Sequence, residues 1–285
     1  MADTAFVTQY RQETIAAYEQ HQSLLRDSCT TEAVINGNTA VFLVAGSGSA
    51  AAQSRGVNGL IAARADENTQ NSVTLQEWHD LVRKTSFNIF ASQGNQREIM
   101  QRTTSAVINR KVDEQILTEL NGASTVTIGA ASTTPTVSLF QNARVKLSNA
   151  SVPWDSNITF VCGASFLAFL EQAPEFANMQ YVEMKPYSGS DQNPSWRDRP
   201  FAYRWRNVLI LEHPAIPGKA TASEKAWLFH KWSMGHAANT AGMDVDVGRN
   251  GEQDYSWARA SMFMQAKMLQ TAGSVEITYD GVAYG

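Results

Sequence analysis

Histidine, cysteine and serine are the side chains that could do chemistry here, and their spacing argues against each of the usual centres. His21, His79, His213, His230 and His236 include no i,i+4 pair, so no helical turn offers two imidazoles to one metal. His230 and His236 stand six apart, on different faces of a helix, and read as polar edges of a packed segment. Cys29 and Cys162 are too few for a disulfide framework and are expected to stay reduced and partly buried, in a chain made in a reducing cytoplasm. Ser165 follows Gly163, but Phe166 stands where a hydrolase nucleophile elbow needs its second glycine, leaving a strand-to-helix turn. Gly46, Gly48, Gly56 and Gly59 lack the lysine and the apolar helix of a phosphate loop. No catalytic residue, metal or cofactor is expected, and the chain reads as a non-enzyme. The enzyme alternative, a Cys/Ser-His hydrolase, needs His230 or His236 beside Cys162 or Ser165 in space.

Periodicity shows what must position these residues. The 285 residues are 43% hydrophobic and 18% charged, enough apolar surface for one large packed domain or two modest ones. A formal charge of −4 suits a general nucleic-acid binder poorly, because phosphate binding draws on Lys and Arg. No run approaches the roughly 18 apolar residues of a membrane span, and the start has no basic or apolar leader, so no membrane partner is expected.

Residues 5–27, with Phe6, Tyr10, Tyr18 and Leu25 among polar side chains, predict an amphipathic helix whose sparse stripe suits docking on another subunit. Asn36-Gly37 between apolar runs is a type I′ hairpin signal. With the Gly/Ser/Ala-rich stretch 46–59 behind it, the segment 32–74 predicts an extended β-rich loop with a mobile tip and no core of its own. Thr74 reads as the cap of a short segment carrying Leu75, Trp78, Leu81 and Val82.

The longest helix is predicted over 95–121, entered at Gly94-Asn95 and closed by Asn121-Gly122. At 1.5 Å per residue it is a rod about 40 Å long. Its apolar stripe is Ile99, Met100, Val107, Ile108, Val112, Ile116, Leu117 and Leu120. Residues 122–136 read as a linker or loose hairpin, 137–149 as a second helix, and 158–162 as a buried strand leading into a helix at 165–172. The four prolines in 174–204 suggest a long surface loop. Strands are predicted at 206–212 and 226–231, and a small-residue helix at 234–241. Along 258–268 the alternation of Ala258, Ala260, Met262, Met264, Ala266 and Met268 argues for a strand against the helix propensity of Ala and Met. A last strand covers 275–279.

An arm and a β-loop that bury so little cannot be stable alone, so the pattern describes an assembly subunit. Val73–Val82 followed by Asn109–Leu117, with Arg110-x-x-Asp113-x-x-Ile116 inside it, resembles the run into the spine helix of the major capsid (coat) proteins of tailed bacteriophages. Phe229–Ala237 is similar to that family's strand–helix stretch in the axial domain. The resemblance covers most of the chain and implies an α+β fold of the Hong Kong 97 type. It implies an N-terminal arm 1–31, an extension loop 32–74, a peripheral domain 75–135 with the spine helix, an axial domain 136–255, and C-terminal strands 256–285 returning to one of the two sheets.

The function implied is self-assembly, through hexamers and pentamers, into the icosahedral head enclosing double-stranded DNA. The subunit would reside in the virion after assembly in the host cytoplasm, with scaffolding, portal and decoration or head-completion proteins as partners. With no large segment ahead of the arm, the scaffold is expected to be a separate protein. Inter-subunit contact candidates are Phe6, Tyr10, Tyr18, Val41, Phe42, Gly46, Gly48, Arg55, Gly56, Gly59 and Leu60. Arg97, Arg102, Arg110 and Lys111 are candidates for weak, non-specific DNA contact, although neighbouring Glu98, Asp113, Glu114 and Glu119 favour a solvated or salt-bridged face. One family member crosslinks lysine to asparagine between subunits; residues 32–74 contain no lysine, so no crosslink is expected. An encapsulin-like compartment shell, of the same fold type, is the other structural reading.

Overall fold

β-Strands dominate the computed structural model, which describes residues 20, 22–31, 33–47, 50–55, 59, 61, 63–64, 67–91, 95–177, 182–186, 201–239 and 242–282. In chain order the elements are β1 (Val34–Asn36), β2 (Thr39–Gly46), β3 (Glu67–Thr74), β4 (Gln76–Thr85), α1 (Ser86–Ala91), α2 (Gln96–Ala123), β5 (Val126–Gly129) and α3 (Val137–Asn149). There follow β6 (Ile158–Cys162), α4 (Ala164–Gln172), α5 (Pro174–Ala177), β7 (Val182–Pro186), β8 (Phe201–Trp205), β9 (Val208–Glu212), β10 (Glu224–His230), β11 (Met234–Ala238), β12 (Asp244–Asn250), β13 (Tyr255–Met268) and β14 (Ser274–Tyr279). Two compact units divide them, one of residues 1–22, 77–111 and 240–262, the other of 23–76, 112–239 and 263–285.

The larger unit is built on a mixed seven-stranded sheet in the order β5-β14-β10-β6-β9-β8-β7. All five residues of β6 are buried, as a central strand covered on both faces must be. On one face, α3 and α4 contribute Leu139, Phe140, Phe166 and Leu170 to a core with Phe160, Trp205, Leu228 and Ile277. Its aromatic rings meet edge to face, Phe140 on Phe160 at 5.2 Å and Phe166 on Tyr279 at 4.9 Å. α3 begins at Val137 because the Thr136 hydroxyl accepts the Leu139 N–H as an N-cap.

The same unit carries the ribbon β1-β2-β3. β2 and β3 pair over eight residues, from Thr39↔Thr74 to Gly46↔Glu67. The predicted hairpin is present one residue late: Asn36 pairs with Thr39, so Gly37 and Asn38 are the central residues. Positive φ falls on Gly37 (+64°) and not on Asn38, the pattern of a glycine-first II′ turn rather than of I′.

In the smaller unit β12 pairs antiparallel with β13 from Asp244↔Ser261 to Asn250↔Tyr255, and β4 also pairs with β13. Burial alternates along β4, with Trp78, Asp80, Val82 and Lys84 on its inner face. That face meets α2 between Gln96 and Lys111: Lys111 Nζ lies 4.2 Å from the Trp78 ring centre, and Lys84 donates to Gln96 Oε1 at 2.6 Å.

Several expectations are corrected. The part of 5–27 that is described is not α-helical; it turns and ends in a single 3-10 turn, Arg26–Ser28, because Asp113 captures its N–H groups. The segment after Thr74 is the strand β4, since Trp78 and Val82 follow its two-residue alternation. Residues 122–136 contain β5, parallel to β14, and the described part of 174–204 holds α5 and the antiparallel pair β7 and β8, whereas 178–181 and 187–200 lie outside the described residues. The predicted helix at 234–241 is the strand β11, so Phe229–Ala237 is strand, 3-10 turn and strand. Val107 sits at 36% exposure, off the buried stripe of α2. β13 is a strand as its alternation requires: Ala258, Ala260, Met262, Met264, Ala266 and Met268 are all buried. The C-terminal strands go both ways, β13 to the sheet of β11 and β12, and β14 to the seven-stranded sheet.

Candidate functional site

The ribbon is rooted by small residues. Phe42, 2% exposed, packs with Ala40 and Ala237 in a minor core edged by Ala33, Ile35, Val73, Leu75 and Leu269. A β-carbon on Gly235 would lie 2.8 Å from Phe42 Cζ, so only glycine lets β11 pass beneath that ring. Gly235 and Ala237 are therefore a seat for an aromatic ring, which explains a small-residue run that is not a helix. Asn71 Nδ2 donates to the Leu269 carbonyl at 3.3 Å and ties β3 to the same place.

Beyond this root the ribbon has no strand covering one edge of β2 among the described residues. β1 pairs with β2 only as far as Val41, so among the described residues the second edge of β2 from Phe42 to Gly46 has no strand. Leu43 is 67% and Ile61 76% exposed. A groove of about 470 Å³ runs beside that edge, lined by Phe42–Ala45, Lys231, Trp232 and Gln270. Backbone groups along an unpaired edge, flanked by exposed apolar side chains, are a template for another strand.

The structure distributes the contact candidates unevenly. Val41 is half-buried, Phe42 is spent inside its own chain, and Gly46 ends β2 opposite Glu67. Arg55 is exposed and folds back, its Nε donating to the Gly59 carbonyl at 3.0 Å, with Gly59 at φ +75°. Phe6, Tyr10, Tyr18, Gly48, Gly56 and Leu60 lie outside the described residues. Of the basic candidates, Arg97 and Arg102 are exposed, whereas Lys111 stacks on Trp78 and Arg110 faces Asp80 from α2.

A buried carboxylate is the feature that the sequence reading missed. Asp113 of α2 accepts hydrogen bonds from Ser23 Oγ (2.6 Å), the Leu24 N–H (2.9 Å) and the Leu25 N–H (3.2 Å). Ser23 and Leu25 bond to Oδ1, and His213 Nε2 lies 3.1 Å from Oδ2, the oxygen that Leu24 also uses, both side chains 1% exposed. Burial works to raise the Asp113 carboxyl, but the bonds from His213, Leu24 and Ser23 together outweigh it and hold it below the usual carboxylate range. A signal existed: Asp113 is four residues before Leu117 and seven before Leu120, on the apolar stripe of the helix. Both Leu117 and Leu120 are buried.

His230 repeats the arrangement, its Nε2 3.1 Å from Asp155 and its Nδ1 accepting the Trp232 N–H at 3.2 Å. His236 on β11 is fully buried, and neither ring nitrogen has a partner among the described residues. Burial, aided by Arg26, depresses its pKa to about 4. The hydrolase pairing is not what the structure assembles: Ser165 donates to Glu224 Oε2 at 2.8 Å, and Tyr279 donates to Oε1 at 2.8 Å. Cys29 and Cys162 are free and buried, and burial raises both thiols far above the ordinary range. No group of three or more metal-ligating side chains exists among the described residues, nor any helix long and apolar enough to cross a membrane.

Comparison with known proteins accords with this picture. No curated protein sequence matches the chain. Solved structures do: the cyanophage Pam1 capsid superposes with a TM-score of 0.66 at 12% identity, covering 99% of this chain and 100% of that one. The capsid of Ralstonia phage GP4 gives 0.66 at 10% identity over 98% of each chain, and Mycobacterium phage Che8 gives 0.65 at 14% over 97% and 98%. The family model described as "Phage capsid protein" matches residues 2–281. An extended ribbon, a long spine helix and a seven-stranded sheet are thus the parts of an α+β, Hong Kong 97-type shell subunit, and the chain belongs to the phage capsid protein family.

Proposed function

We propose that this chain is the major capsid protein of a tailed phage, and that its copies close into an icosahedral head around double-stranded DNA. Residues 1–31 then form the arm, 32–74 the extension loop, 75–135 the peripheral domain, 136–255 the axial domain and 256–285 the returning strands. The observation that carries the reading is the ribbon: β2 and β3 pair over eight residues above a small root, and among the described residues one edge of β2 from Phe42 is unpaired, with Leu43 exposed. Such a ribbon acquires its missing contacts from a neighbouring copy, by strand addition and apolar cover.

Obligate interfaces bury on the order of 2,000 Å² or more. A subunit in a hexamer or pentamer shares that area among several neighbours, so weak contacts that must break together suffice. The role is structural, with no catalytic step. Scaffolding, portal and head-completion proteins are the expected partners, and assembly takes place in the host cytoplasm. DNA contact through Arg97 and Arg102 is weak and non-specific, since Glu98 shares that stretch and Arg110 and Lys111 face β4. Deleting residues 46–59 is expected to leave a soluble subunit that forms no closed shells; unchanged particle yield by electron microscopy would refute the reading.

A further inference from the structure

Asp113 gathers three parts of the chain that are far apart in sequence. Ser23, Leu24 and Leu25 come from the segment leading out of the N-terminal residues, His213 from the turn after β9, and the carboxylate itself from α2. His213 Nδ1 accepts the Ala215 N–H at 3.1 Å, which assigns Nε2–H as the donor to Asp113. Among the described residues, titratable and charged groups that interact with this site include Cys29 of the same segment, with Asp27 and Lys231 acting on it, and His236 of β11, with Arg26 acting on His236. A carboxylate in this setting is an acceptor only, and each of its donors matches that need.

We propose that Asp113 is a buried anionic receptor that seats the root of the N-terminal arm. The single negative charge closes the Ser23–Leu25 turn onto the spine helix, and its loss frees the stretch 22–29 while the seven-stranded sheet keeps its structure. The position of the Ser23–Leu25 turn is thereby set by one ionised side chain. Asparagine in its place has the same shape but turns two N–H donors toward donors. Aspartic acid once protonated fails in a similar way, and the low position of its titration places that release below the ordinary carboxylate range. Asp113 is a positioning residue on this account, and the proposal stands apart from the shell reading.

The test is hydrogen–deuterium exchange on the full-length subunit, followed by mass spectrometry of peptides spanning 22–29. In Asp113→Asn, exchange at Leu24 and Leu25 is expected to quicken at least about tenfold, the consequence of losing a hydrogen bond to a charged acceptor. Peptides of β6 and β10 are expected to keep their rates. His213→Gln, which retains an N–H donor, is expected to preserve protection of 22–29, and His213→Leu to lose it. Ser23→Ala, which leaves the core untouched, serves if Asp113→Asn does not fold, with a several-fold acceleration confined to the same peptide. Wild-type protection in Asp113→Asn or Ser23→Ala overturns the proposal, as does acceleration spread evenly through the chain. If that result comes with wild-type shells intact, the receptor alone is refuted. Localised acceleration in a protein that forms no shells even when co-expressed with its scaffolding protein refutes the shell-closure reading and leaves the receptor standing.

Discussion

Exchanging His236 for leucine and titrating stability between pH 8 and pH 4 probes the deepest ionisable side chain of β11. The ring is fully buried, and neither nitrogen has a partner among the described residues. Its pKa falls from 6.5 to about 4, because burial and Arg26 disfavour the charged form more than Asp113 favours it. The unfolded chain therefore accepts a proton that the folded chain resists. The stability conferred by the neutral ring is complete above pH 6.5, declines as the pH falls from 6.5 toward 4, and is lost below that. At about 1.4 kcal/mol per pH unit, this interval amounts to about 3 kcal/mol. Asp113 and Asp155, whose carboxyls are depressed, are stabilising above their unfolded value of 3.8 and begin to lose that contribution only at the acid end of this window, equally in wild type and variant. Leucine removes the titration and two unsatisfied ring nitrogens, so the variant is expected to equal or exceed the wild type at pH 8 by about 1 kcal/mol. Urea unfolding of the soluble subunit followed by circular dichroism reads both quantities. Parallel pH profiles for wild type and variant between 6.5 and 4 would refute the reasoning.

Other outcomes follow from single contacts. Phe42→Ala is expected to lower stability by about 3–5 kcal/mol and Gly235→Ala by about 1–3 kcal/mol, since each unseats the ribbon root; unchanged denaturant midpoints would contradict this. Both buried thiols are expected to resist a disulfide exchange reagent in the native subunit and to react fully after denaturation, so rapid native labelling of Cys29 or Cys162 would refute their placement. Gly281→Ala would drive a β-carbon into the Glu224 carboxylate and is expected to cost about 1–3 kcal/mol in chemical unfolding. Filter binding of the subunit to double-stranded DNA is expected to be weak, salt-sensitive and indifferent to sequence; tight sequence-dependent binding would contradict the charge reading.

Local periodicity carried much of this architecture. α3 spans the predicted 137–149 because its stripe and its Thr136 cap agree, and β13 obeyed its alternation although Ala and Met favour helices. The failures share a cause, namely that the deciding partner lies far away in sequence. Residues 22–28 carry helix formers, yet Asp113, some ninety positions downstream, takes the N–H groups of Leu24 and Leu25. Met234–Ala238 carries small residues for the sake of Phe42, about two hundred positions earlier, and pairs as a strand. The ribbon was legible because glycine and serine flank strand-forming runs. Asp113 was overlooked because it was counted among the charges of a solvated face when its position placed it on the apolar one. A carboxylate there is a demand for donors, which only the folded chain identifies.

The central claim is that the ribbon obtains its missing contacts from neighbouring copies. Cryo-electron microscopy of the purified, concentrated full-length protein tests it most directly. Closed icosahedral particles, with Thr39–Gly46 and Glu67–Thr74 of one subunit lying across the next, are the expected result. A monodisperse monomer with both strands folded against its own body would contradict the account.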